Sequence, residues 1–577
     1  MSKKNKTQKN SRQEKTVSKS TAGPVSQPAT AMATWLLLGI ILLLTFIVYF
    51  PALQNGFVWD DQFYIQDNPL IRSVDLKKIF STNVIGSYNP ITIVAYALEY
   101  KFSGLNNSVF HGVNLFFHLL NTVLVYVFIL LLCKKKTIAL AVSLLFGIHP
   151  MHVESVAWAS GLKDLLYTFF FLASVIFYLK YLDLKQKKYY LLSLLLFPLS
   201  LLSKAMAAPL PVVLLLIDYF KNRKFNLNVW LEKLPFVLMA AIVGTTAVLA
   251  QQSANAIHTE AFPFSQRIVF ACYGFINYLF KLVLPVQLSS YYPYPISSGE
   301  NLPAVYYLYV PLLIGFITFT FYTLRHYRLF FFCITFFTLT VFLVLQLLPI
   351  GGTIIADRFS YVPSIGIFYL VAEGLYLLWK KTGIVNFKLP FAILSAVAVI
   401  LLSIKTYSQC AIWKDEFTLW NEVINNTQKV PLAYCNRGLS LMAMKREEDA
   451  LKDFTKTIEL MQDYPKAYNS RGIIFQNRHQ NKEALDDFTK AIELKPDYVN
   501  AYINRGNVLR DEKKYPEAAN DYSKAISLEP NSAIAYYNQA VNEFYLGEKE
   551  KSCADFQHAL ELGYGPSADA LKQAGCR

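Results

Sequence analysis

Cysteine is scarce. Seven occur in 577 residues and none stands at metal-ligand spacing, which argues against a structural zinc site. Cys133, Cys272 and Cys333 lie in apolar segments and read as core residues. Cys553 and Cys576 fall in the last soluble stretch and are expected to pair if it faces an oxidising compartment. The H-E-x-x-H pattern is missing too. His149-x-x-His152-x-Glu154 has a different spacing, and Pro150 interrupts a helix there. No metal is therefore expected, a divalent ion being the weaker alternative; an anion or phosphate contact by a histidine fits the residues at least as well. The first apolar run, Thr34 to Phe50, is followed by no small-residue cleavage site and reads as an anchor, not a removed signal peptide.

Apolar sequence is abundant. Hydrophobic residues make up 54% of the chain and mean hydropathy is +0.31. They come in runs of about 15–25 residues between short Lys/Arg clusters, the pattern of a polytopic helical membrane protein. After about Tyr407 the character turns charged, amphipathic and repeating. The expected fold is all-α: a membrane bundle of about eleven spans followed by an α-solenoid. The expected division is a disordered basic cytoplasmic tail over 1–32, a transmembrane domain over 33–408, a connecting helix over 409–432 and four repeats over 433–577. The net charge of +15 does not point to nucleic acid. Residues 1–20 alone hold seven Lys/Arg against one acid, Glu14, and much of the rest lies at helix ends, where it orients the protein.

Spans are expected near 34–50, 109–132, 137–148, 164–182, 189–203, 205–220, 233–250, 304–324, 329–348, 362–379 and 389–407. The basic clusters at 134–136, 185–188, 221–224, 325–328 and 380–381 then face the cytoplasm, with the N-terminus inside and the repeats outside. A further apolar segment, Gln266 to Leu284, would reverse the later clusters if it crossed. It is expected to be re-entrant or in-plane.

With this topology the unusual polar residues gather on the outer side. Asp60 and Asp61 follow the first span among Phe57, Trp59, Phe63 and Tyr64. His149, His152 and Glu154, then Lys163 and Asp164, follow the third; Lys204 and Arg358 lie in later outer turns. Any one of them alone reads as a belt or helix-cap residue. Together, expensive charges converging on one face suggest a site. His111, Asn114, His118 and Asn121 recur every three or four residues, so they share one helix face turned into the bundle. Interhelical hydrogen bonding is their expected role, a cavity lining the alternative.

The soluble part has a 34-residue period. Ala433-Tyr434, Ala467-Tyr468, Ala501-Tyr502 and Ala535-Tyr536 open successive units. Gly438, Gly472, Gly506 and Ala540 fill the small position; Phe454, Phe488, Tyr522 and Phe556 fill the aromatic one. This is the tetratricopeptide pattern, a helix pair per unit stacking into a curved surface. Arg437, Arg471 and Arg505 recur at one position and are expected to pack their stems with their heads in water. Asn436, Asn504 and Asn538 are expected to clasp a peptide backbone in the groove.

Taken together, the chain resembles the transmembrane and tetratricopeptide-repeat-containing O-mannosyltransferases, within the wider GT-C glycosyltransferases. The matching stretches are Phe57-Val58-Trp59-Asp60-Asp61 with Asn68-Pro69, and His111-x-x-Asn114-Leu115-x-x-His118. His149-Pro150-x-His152-Val153-Glu154-Ser155-Val156 with Asp164 follows, then Arg358-x-x-Tyr361-Val362-Pro363-Ser364. The resemblance implies sugar transfer (mannose or another hexose) from a polyprenyl-phosphate donor to a protein hydroxyl at the outer or lumenal face. It implies an acidic base in the first loop, Asp60, with Asp61 holding the acceptor or its partner cation, and the reverse order open. Inverting transfer needs one such base and no covalent carboxylate intermediate. Lys163, Lys204 and Arg358, with His149 and His152, would meet the leaving phosphate. Glu154, Asp164, His111, His118 and Tyr361 would support the cavity. Membrane lipid, a lipid-linked sugar and a polypeptide held by the repeats are the implied partners. The short repeat array and the lack of a lumenal retention signal suit a bacterial inner membrane with periplasmic repeats; an ER membrane with lumenal repeats is the eukaryotic counterpart. The competing class is a non-catalytic membrane-anchored scaffold for envelope assembly. It explains the repeats equally well but not the converging charges.

Overall fold

The computed structural model describes residues 28–254, 261–297, 299–381 and 385–576. Most of the expected basic tail, up to residue 27, lies outside them. The regular structure of the described chain is helical except for two short antiparallel strands, Tyr292–Pro293 and Thr353–Ile355.

Helix Asn107–Cys133 is the axis of the membrane part. The Asn106 side chain caps it by accepting from the Ser108 N–H at 3.1 Å, and it stops where Lys134 turns left-handed at φ 58°. It packs on helices Lys136–Ile148 and Leu162–Leu184. Its polar face carries interhelical bonds. The Asn121 amide donates to the Leu165 carbonyl at 3.0 Å, and His118 bridges the Gly147 carbonyl at 3.0 Å and the Tyr361 hydroxyl at 2.7 Å. Inside a bilayer such bonds satisfy groups that lipid cannot.

Among the described residues six helices are long and apolar enough to cross a membrane: Met32–Gln54, Asn107–Cys133, Ala159–Leu184, Leu227–Ser253, Ala304–Leu324 and Lys388–Trp413. Lys136–Ile148 and Pro150–Ala157, bent by 54°, add a seventh if counted as one span. The bend falls at His149, whose extended backbone leads into Pro150, as a proline at a helix start favours. Other expected spans form shorter or less apolar helices, among them Lys187–Ser203 and Ser364–Lys381. Phe264–Val283 is a helix but not one of the six. One side buries Phe270, Phe275 and Tyr278 while Phe264 and Phe280 are exposed.

Helix Glu416–Asn426, capped by Asp415, leads into four helix pairs. They are Pro431–Ala443 with Glu447–Leu460, Pro465–Asn477 with Asn481–Leu494, Val499–Asp511 with Tyr515–Leu528, and Ala533–Leu546 with Lys549–Glu561. A Cβ on Gly438, Gly472 or Gly506 would lie 2.8 Å from the ring of Phe454, Phe488 or Tyr522, so the small position is set by close approach. The arginines differ from expectation. Their heads do not end in water: Arg437, Arg471 and Arg505 grip Asp453, Asp487 and Asp521 through paired bonds of 2.7–2.8 Å, tying the two helices of each unit. Cys553 and Cys576 form a disulfide with their Cα atoms 5.6 Å apart, fixing helix Pro566–Gln573 against the last pair.

Candidate active site

The two adjacent aspartates have opposite surroundings. Asp61 is fully buried. One oxygen accepts the Val58 N–H at 2.9 Å; the other accepts the Ser160 N–H at 2.7 Å and the Ser160 hydroxyl. Burial pushes its pKa up to about 7 although all three donors pull it down. Both oxygens accept from the protein, so Asp61 fastens the loop after the first span to the turn Ala159–Gly161. Asp60 is half-buried, and its carboxylate makes no hydrogen bond or ion pair among the described residues.

Three cations from three stretches meet beside it. Lys163, in the first turn of helix Leu162–Leu184, lies 4.3 Å from the Tyr64 ring centre and 4.9 Å from that of Trp158. No carboxylate lies within ion-pair distance of it among the described residues, and Asp60 is the leading opposite charge it feels. Arg358 stacks over the same Trp158 at 5.5 Å and over Phe359 at 4.8 Å. Its guanidinium pairs with Glu154, whose other oxygen accepts the Arg358 N–H at 2.9 Å. Lys204, in the turn after helix Lys187–Ser203, lies 5.3 Å from Phe359 and pairs with Asp164 at 2.5 Å. The second Asp164 oxygen is buried without a hydrogen-bond partner among the described residues. Aromatic faces thus carry the cations where water is scarce. Burial draws Lys204 down to about 8; Arg358 and Lys163 add to this and Asp164 opposes it.

The histidines stand behind this cluster. His152 bonds the Phe146 carbonyl at 2.9 Å and the Ser364 hydroxyl at 3.1 Å. His149 accepts from the Met151 N–H at 3.3 Å and packs on Phe368. Both are buried, and neither is hydrogen-bonded to Lys163, Lys204 or Arg358 among the described residues. His118, His152, Tyr361 and Phe146 form one buried pack, and His111 reaches the Gly56 carbonyl at 3.3 Å. The Asn114 amide donates to the Trp158 carbonyl at 2.7 Å and so sets the turn that presents Trp158. Trp158, Ser160 and Phe359 were not among the site candidates read from sequence, and Tyr64 entered only as a ring beside Asp60 and Asp61; aromatics flanking isolated cations were the available sign. Among the described residues no three His, Cys, Asp or Glu side chains group to hold a metal ion.

In the repeats, the Asn504 amide donates to Asn469 at 2.9 Å, and the Asn538 amide donates to its own helix at 2.9 Å while its oxygen accepts from Arg510 at 3.3 Å. Asn436 is half-buried, with no side-chain bond among the described residues.

A family model for the tetratricopeptide repeat matches residues 465–498 and 499–532. A protein O-mannosyl-transferase of Caenorhabditis elegans is 27% identical over 449 residues, 73% of this chain and 62% of that protein. The human protein O-mannosyl-transferase TMTC3 is 26% identical, covering 70% of this chain and 49% of its own length. Human TMTC1 is 25% identical, covering 71% and 54%. The chain thus spans 49–62% of the length of these relatives. A crystal structure of MamA aligns at 23% identity and a TM-score of 0.24, over 25% of this chain and 85% of that one.

Proposed function

The homologues of this chain are protein O-mannosyl-transferases, matched over 70–73% of its length, and on that premise we propose that it glycosylates protein hydroxyls at the outer face of a membrane. The donor is a polyprenyl-phosphate sugar, mannose or another hexose. The observation that carries the reading is that, among the described residues, an uncommitted carboxylate, Asp60, and a cation without an ion-pair partner, Lys163, stand near two aromatic-framed ion pairs.

In this reading Asp60 takes the proton of the acceptor hydroxyl as its oxygen attacks the anomeric carbon. The bond from that carbon to the lipid phosphate breaks, and the electron pair leaves on phosphate. Lys163, Arg358 and Lys204 meet the growing charge in a site of low dielectric, where fixed cations act most strongly. One base and no covalent intermediate give inversion. Asp61 and Ser160 hold the loop; Glu154 and Asp164 hold the cations. The repeats, outside with their disulfide, present the polypeptide; a periplasmic location of a bacterial inner membrane fits both.

Intact-glycopeptide mass spectrometry tests this in a deletion strain carrying either the wild-type gene or Asp60→Asn at equal expression. Loss of hexose-bearing peptides only with Asp60→Asn supports transfer and names the acceptors. Identical glycopeptides, with an envelope defect on deleting residues 431–577, would replace it with the scaffold reading.

A further inference from the structure

The loop carrying Asp60 is fastened at two ends, and one fastening comes from the stretch that bears the repeats. Trp59, the residue before Asp60, has a left-handed backbone at φ 57°. A bulky side chain rarely adopts that conformation, so neighbours must hold it. Its N–H donates to the Glu416 carboxylate, whose other oxygen accepts the Trp420 indole N–H. Its ring stacks on Trp158 at 5.4 Å and meets the edge of Trp420 at 5.4 Å. Just upstream, the Gly56 N–H donates to the Lys414 carbonyl at 2.8 Å and the Asn55 amide to the Cys410 carbonyl at 3.2 Å. A Cβ on Gly56 would come within 3.2 Å of that Lys414 oxygen.

The same helix grips the first repeat. Asn421, one residue beyond Trp420, accepts from Arg437 at 2.9 Å, and Leu419, Trp420 and Val423 share a core with Val430 and Ala433. One short helix therefore touches the backbone of the candidate base loop and the first helix of the array.

We propose that Glu416 is the positioning residue for Asp60, so that the repeat-bearing linker completes the active site. This rests on the reading of Asp60 as the base. Without the carboxylate, the Trp59 N–H loses its acceptor and the backbone is free to leave the left-handed region. That turns the next residue, Asp60, away from Lys163. The carboxylate touches no substrate; it acts through the angle of one peptide unit.

The test uses the full chain, purified and reconstituted, with a polyprenyl-phosphate mannose and a synthetic threonine peptide. Glu416→Ala is expected to lower kcat at least tenfold with the peptide KM changed less than twofold. The pair Glu416→Gln with Trp420→Phe keeps an oxygen for the Trp59 N–H and removes the opposing indole donor. It is expected to recover most of kcat and serves where Glu416→Ala folds poorly. Hydrogen exchange at residues 57–63 gives a readout independent of activity. Those amides should exchange at least tenfold faster in Glu416→Ala and return to wild-type rates in the double variant. Unchanged exchange, or unchanged kcat in an active enzyme, overturns the proposal. A raised KM at constant kcat overturns it as well, because the linker would then read the acceptor. Asp60→Asn as active as wild type sinks the reading of Asp60 as the base instead, whatever the exchange at residues 57–63 shows.

Discussion

The membrane part and the repeat array both bury ion pairs, and they do so in opposite ways. In the array each arginine meets an aspartate sixteen residues on in the same helix pair, with two bonds of 2.7–2.8 Å, and the arrangement recurs three times. In the membrane part no pair resembles another. Glu154 and Arg358 lie 204 residues apart, Asp164 and Lys204 forty. Among the described residues groups are left over, including Asp60, Lys163, one oxygen of Asp164 and both oxygens of Glu99. In the three arginine–aspartate units complete pairing builds a scaffold, and incomplete pairing beside Asp60 leaves charge available to a substrate. Leftover charge is therefore a sharper sign of chemistry than buried charge alone.

That contrast can be broken by experiment. The largest expected effect is on Asp60. Asp60→Asn should cut transfer by about 10²–10⁴-fold, the range for loss of a general base, with an unchanged unfolding midpoint. A drop in stability instead would make Asp60 a scaffold residue. Glu154→Ala strands Arg358 in a buried site and should cost about 3–5 kcal/mol in detergent unfolding, with activity lost alongside. Arg471→Ala should cost about 1.5–3 kcal/mol in the array and leave kcat on a short peptide unchanged. If kcat falls with it, the two regions are less separate than their pairing suggests.

Next is pH. Lys204 is charged at neutrality and loses its proton as pH rises through about 8, since burial has drawn it down. Transfer should therefore fall about tenfold per unit above that point, and Lys204→Arg, which stays charged, should remove this alkaline limb. The smallest effect concerns the turns of the array. Lys445, His479 and Lys513 adopt φ of 57–62° at the position where the fourth unit has Gly547 at φ 80°. His479→Gly should raise stability by about 1 kcal/mol, seen in the unfolding midpoint, by relieving the left-handed strain.

The same contrast explains what the sequence disclosed. The repeats were legible because each unit solves its packing locally, so the glycine and its facing ring return every 34 residues. The polar stripe from His111 to Asn121 was legible because three- and four-residue spacing fixes a helix face. The gathering of cations on one side followed from topology and from the resemblance. What separates Asp60 from Asp61 was hidden, since it lies in the amide of Ser160, 99 residues away. Histidines and cations look alike as site candidates until Phe146 and Ser364 are seen to occupy the His152 ring. The arginine–aspartate spacing of sixteen was present in the string but crosses a hairpin turn, where helical periodicity gives no guidance.

Because Arg437, Arg471 and Arg505 each find a counter-ion inside their own unit, a unit's central ion pair owes nothing to its neighbours. A block of 34 residues can be duplicated or deleted without breaking that pair, since the upstream contacts of these arginines, to Asn421, Thr455 or Thr489, are to neutral oxygens; among the described residues only the more exposed Arg478, paired with Glu447 and Glu448, crosses between units. Array length is thus electrostatically free to drift, while the membrane part joins Glu154 to Arg358 and Asp164 to Lys204 across unrelated segments and admits no such change of copy number.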